Sequence, residues 1–90
     1  MQDEAILRPV ADYKLAVFDD EMLLYSRDKT QAVFLNATAA LIWRLCDGQR
    51  SVATIRSLLQ DAYPEAADEV AQDLQAALQH LLASAVLAHV

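Results

Sequence analysis

Apolar and polar positions change period along this chain, from about two residues in the first third to about three and a half afterwards. Tyr13, Leu15 and Val17 alternate with Lys14, Ala16 and Phe18, and the Asp19-Asp20 pair then predicts a turn before a second apolar run from Met22 to Tyr25. The polar break Arg27-Asp28-Lys29 predicts another turn, and Gln31 to Leu35 resumes an extended apolar pattern that stops at Asn36. A three-stranded antiparallel meander follows, with strands of about six residues between residues 10 and 35.

Beyond Asn36 the pattern is helical. Asn36 can accept a hydrogen bond from the first-turn amides of a helix over about residues 37–46, which Asp47-Gly48 would stop. Ser51 caps a second helix over 52–62, with Ile55, Leu58, Leu59 and Ala62 on one face and Tyr63-Pro64 after it. A third helix over about 66–85 repeats Val70, Leu74, Ala77, Leu78, Leu81, Leu82 and Ala85, and Asp68, Glu69 and Asp73 suit its positive N-terminal end. The expected architecture is α+β, a single domain over 1–90 with a three-stranded antiparallel sheet followed by three helices.

Composition narrows the functional classes. With 90 residues, one Gly and two Pro, the chain holds one core and no long linker. The lone Cys46 has no disulfide partner and the first residues are acidic where a secretory signal is basic, so a reducing cytoplasm is expected. No apolar run approaches the roughly 20 residues of a membrane-spanning helix. The net charge of −6 is uneven: eight acids and seven bases lie up to Arg56, whereas Asp61, Glu65, Asp68, Glu69 and Asp73 follow with no Lys or Arg. Such a surface repels phosphate backbones and attracts basic peptides.

Candidate chemistry is sparse, and catalytic, cofactor and metal sites are all expected to be absent. One glycine leaves no phosphate-cradling loop. Cys46, beside Leu45 on an apolar helix side, reads as a buried structural thiol, His80 as a rim residue and His89 as terminal. Their spacings of 34 and 9 residues match no zinc pattern. Trp43 and Phe34 read first as core aromatics.

The sheet suggests more. A meander leaves two edges, and the third strand, Gln31, Ala32, Val33, Phe34 and Leu35, carries no charge and no proline to discourage another chain from pairing with it. Backbone pairing to a flexible guest needs apolar anchors as well, and the third helix, at Asp73, Leu74, Ala77, Leu78 and Leu81, is the candidate wall by its periodicity. The same edge also permits a homodimer by self-pairing. A winged-helix DNA binder is a further alternative, disfavoured by a third helix without Lys or Arg.

The run Phe34-Leu35-Asn36-Ala37-Thr38-Ala39-Ala40-Leu41-Ile42-Trp43-Arg44-Leu45-Cys46-Asp47-Gly48, followed by Ser51-Val52 and Ile55, resembles the signature of the PqqD family: leucine-asparagine, a threonine two later, isoleucine-tryptophan, then an aspartate-glycine turn. The likeness extends from about Tyr13 to Leu87. It implies a winged helix-turn-helix-like domain that recognises the leader of a ribosomally made precursor peptide, and binds it antiparallel along Gln31 to Leu35 against the third helix. It further implies delivery to a radical S-adenosylmethionine enzyme or another tailoring partner. Ala39 and Ala85 stand where many members have glycine; both are expected at helical positions, where alanine costs nothing.

Overall fold

The computed structural model describes residues 3–19, 21–26 and 31–90. The turn residue Asp20 and the polar break at 27–29 lie outside them. In chain order the elements are β1 (Leu7–Pro9), β2 (Tyr13–Phe18), β3 (Glu21–Ser26), β4 (Gln31–Leu35), α1 (Ala37–Leu45), α2 (Val52–Ala62), a 3-10 turn at Pro64–Ala66, α3 (Ala67–Ala83) and β5 (Leu87–His89). The meander is present, antiparallel and in the order β2-β3-β4, so the third strand of the sequence reading is β4 and it lies at an edge. Its register aligns Leu15, Leu24 and Val33 on one face and Ala16, Leu23 and Phe34 on the other.

The first of those faces is the inner one. Leu24, Val33 and Leu35 are buried in one cluster with Ala40 and Ile42 of α1, Ile55 and Leu59 of α2, and Leu74, Leu78 and Leu81 of α3. Trp43 packs against this cluster, and its indole N–H donates to the Val86 carbonyl at 3.2 Å. Its core reading therefore holds, with a partner for the polar end of the ring.

Both helix caps expected from the sequence form. The Asn36 side chain accepts from the Ala39 amide at 2.8 Å. At α2 the first-turn donors are all engaged: the Thr54 amide with the Ser51 hydroxyl, Val52 with the Ala5 carbonyl, and Ala53 with the Asp3 carbonyl. The N-terminal segment is thus part of the cap, and Asp3 adds a 2.7 Å ion pair to Arg56, whose guanidinium holds the carboxyl below its usual range. Between α1 and α2 the Asp47 side chain accepts from the Gln49 and Arg50 amides, and Gly48 takes φ +82° with its N–H on the Leu7 carbonyl. A side chain at Gly48 would meet the Arg8 Cβ at 3.4 Å, an ordinary contact, so it is the positive φ that favours glycine here.

β1 and β5 have no counterpart in the sequence reading. They pair antiparallel, Leu7 with His89 and Pro9 with Leu87, and join the two ends of the chain into a second small sheet. Each is three residues long, too short for an alternating pattern to register.

The end of α3 overturns the expectation for Ala85. Helix α3 stops at Ala83, and Ala85 lies beyond it in the left-handed region at φ +60°. Its amide bonds the Leu82 carbonyl at 3.0 Å and the Val86 amide bonds the Leu81 carbonyl at 3.2 Å, which is a Schellman closure. A Cβ in this conformation costs roughly 1–2 kcal/mol, partly offset by the larger entropy glycine loses on folding. Ala85→Gly is expected to raise stability by about 0.5–1 kcal/mol, read as an upward shift of the denaturation midpoint at unchanged m-value.

Candidate functional site

β4 pairs with β3 and with no other strand among the described residues. A strand with one neighbour points every second residue's N–H and C=O away from the sheet. Side chains alternate as well: Val33 and Leu35 are buried, while Ala32 is exposed and Phe34 is 68% exposed. Phe34 is therefore not a core aromatic; it stands on the outer face opposite Leu23, in line with Ala16. Gln31 fixes the near end of the strand, its side-chain amide donating to the Ser84 carbonyl at 2.8 Å. The start of β4 thus lies beside the C-terminus of α3, and the two run in opposite directions.

Opposite the end of the strand lies an open depression of about 330 Å³. Asn36, Thr38 and Ala39 form one side, and Asp73, Ala76, Ala77 and His80 of α3 the other. Of the α3 residues selected by periodicity, Asp73 and Ala77 are on this wall. Leu74, Leu78 and Leu81 are not: their exposures are 1%, 0% and 0%, and their side chains belong to the core. The stripe that the sequence marks as greasy is the stripe the monomer uses for itself.

Sequence reasoning missed Ala76, Asn36 and Thr38 as wall residues and placed His80 only at a rim. The signal available was a second helical stripe, Asp73, Ala76, Ala77, His80 and Ser84, spaced i, i+3, i+4, i+7 and i+11 and made of small and polar residues. Small side chains allow an extended backbone to come close to a helix. Hydrophobicity alone does not reveal such a face.

The remaining candidates for chemistry stand apart. Cys46 is buried at the end of α1, and burial, with Asp47 adjacent, pushes its thiol up to about 11. Its thiolate is scarce at neutral pH, so the native protein is expected to react with a thiol reagent only after unfolding. An unfolded thiol ionises near 9.0 and the folded one near 11, so this contribution to stability is full below pH 9 and falls by roughly 2 kcal/mol as the pH rises to 11. Urea denaturation across that window should show the loss, and Cys46→Ala should remove this component of it. Among the described residues no three His, Cys, Asp or Glu gather to hold a metal ion, and no helix is long and apolar enough to cross a membrane.

Comparison with known proteins gives three concordant findings. The family model for coenzyme PQQ synthesis protein D (PqqD) matches residues 21–87. A protein of Klebsiella pneumoniae (strain 342) bearing the name PqqA binding protein is 36% identical over 85 residues, 88% of this chain and 89% of the relative, and a second Klebsiella pneumoniae protein of the same name matches equally. The solved structure titled TbiB1 in complex with the TbiA(beta) leader peptide has the same fold, with a TM-score of 0.70 at 22% identity over 89% of this chain and 93% of that one.

Proposed function

Because the chain belongs to the PqqD family, we propose that it is a non-catalytic recognition element that binds the leader of a ribosomally synthesised precursor peptide by strand addition and presents it to a modifying enzyme. The observation that carries this reading is β4, an uncharged edge strand with a shallow, small-residue helix wall at its end. The guest runs antiparallel to Gln31–Leu35 and becomes the outer strand beyond β4. The name of the Klebsiella relatives points to PqqA, or a peptide of its type, as that guest.

Magnitudes decide what else the guest must offer. Each backbone hydrogen bond is worth a net ~0.5–1.5 kcal/mol, and ordering a flexible residue costs ~1–2 kcal/mol. Pairing along the five residues of β4 therefore does not bind by itself. Side-chain anchors at ~1.5–3 kcal/mol each, when fully buried, supply the surplus. They meet Asp73, Ala76, Ala77 and His80, while Leu74, Leu78 and Leu81 support the wall from behind. A radical S-adenosylmethionine enzyme as recipient, and a cytoplasmic setting, belong to the same proposal.

Amide hydrogen exchange of the intact chain titrated with synthetic PqqA tests it. Slowed exchange within Gln31–Leu35, with β1 and β5 unchanged, is the expected result. Saturable binding that leaves β4 exchange unaltered, or no binding of PqqA, refutes it.

A further inference from the structure

The space beside β4 does not end at Asn36. The depression there shares Thr38 and Asp73 with a second hollow of about 420 Å³, bounded by Leu41 of α1, Tyr63 at the end of α2, and Ala66 and Val70 where α3 begins. Its size falls in the range of about 300–1,000 Å³ typical of sites that enclose small ligands. Leu41 and Tyr63 are 39% and 54% exposed, so two large apolar side chains stand in water at the hollow that adjoins the depression.

Direction and distance identify what would fill it. β4 runs opposite to α3, since Gln31 bonds Ser84 and Asn36 faces Ala76, Ala77 and His80. A guest antiparallel to β4 is then parallel to α3, and the part of it that passes Leu35 towards Val70 and Ala66 is its N-terminal flank. From Ala77 to Val70 is seven residues of helix, about 10 Å at ~1.5 Å per residue. An extended peptide covers that in about three residues at ~3.3 Å each.

Charge supplies the second element. Asp73 lies on the wall common to both hollows, and it forms no ion pair among the described residues. No Lys or Arg follows Arg56 in the chain, so α3 itself carries none to neutralise it.

We infer that the hollow between α1, α2 and α3 is a second leader subsite, which takes one bulky apolar side chain about three residues N-terminal to the strand-paired segment, with a basic residue of the leader beside Asp73. This rests on the strand-addition reading above. It makes recognition bipartite: backbone pairing at β4 fixes orientation, and the hollow selects the sequence upstream of it.

The test measures affinity by fluorescence anisotropy on the intact chain with two synthetic probes, full-length PqqA and a PqqA truncated at the first residue whose amide is protected on binding. Wild type is expected to bind the truncated probe at least tenfold more weakly. Leu41→Asp and, separately, Tyr63→Ala should weaken the full-length probe at least tenfold and leave the truncated one within twofold; both side chains are exposed enough for the variants to fold. Asp73→Lys should weaken the full-length probe more at low salt than at high salt. Equal effects of Leu41→Asp on both probes, or none on either, overturn the subsite while β4 protection leaves strand addition standing. A variant that alters only the oligomeric state assigns the hollow to a contact between copies and overturns it too. Absence of β4 protection with either probe defeats the strand reading itself.

Discussion

N-methylation of successive residues in the strand-paired segment of the peptide is expected to weaken binding at alternate positions only. In an antiparallel ladder each guest residue turns its N–H and C=O either towards β4 or away from it. Methylation of an inward amide removes one hydrogen bond, a net ~0.5–1.5 kcal/mol, or roughly a two- to tenfold loss. The methyl group must also fit between strands only ~4.8 Å apart, which forces them to separate and should carry the loss well past tenfold. An outward amide faces solvent, and its methylation should change affinity less than about threefold. Calorimetric titration of a set of singly methylated peptides reads the pattern directly. It leaves the protein untouched, which matters because Val33 and Leu35 are buried and substitutions in β4 would disturb the core together with the edge. A loss repeating every three to four positions would mean that the guest binds as a helix in the groove, and strand addition would be wrong.

The sequence made the meander and the helices legible because their signals are local. Asn36 and Ser51 are caps whose acceptors reach amides three residues on, and Asp47-Gly48 closes a turn that needs a positive φ. The edge status of β4 was legible from the short-loop meander, which leaves its outer strands with one neighbour each, and the absence of charge and Pro marks that edge as unprotected. What was hidden depends on distant partners. β1 and β5 exist because Leu7 and Leu87 are brought together by the rest of the fold, and nothing in three residues announces that. Ala85 was misplaced by propensity: alanine favours helix, but the Schellman closure and burial of Val86 at 0% exposure outweigh its preference at that one residue. The candidate site was half legible: the absence of charge singles out β4, whereas telling the open face of α3 from the buried one requires knowing which stripe the core has taken.

That division of α3 gives the second large effect. Leu78 is fully buried among Leu24, Ile42, Leu74 and Leu81, so Leu78→Ala removes buried methyl groups and leaves a cavity that close packing fills only in part. The expected cost is about 2–5 kcal/mol, a large share of the ~5–15 kcal/mol that stabilises a typical domain. In a chain of 90 residues this lowers Tm by about 10 °C or more. Below the transition, the folded fraction should bind peptide within about twofold of wild type, because a side chain at 0% exposure is out of reach of the proposed guest. Ala76→Phe should behave in the opposite way. Ala76 is exposed on the wall of the depression, so a ring there should cost under about 1 kcal/mol of stability while filling the space that the guest needs, with an affinity loss of tenfold or more. Thermal denaturation and peptide titration of the two variants separate the roles. If Leu78→Ala kept its Tm and lost affinity, the apolar stripe would be the binding surface, and the small-residue face would be ordinary solvent-exposed helix.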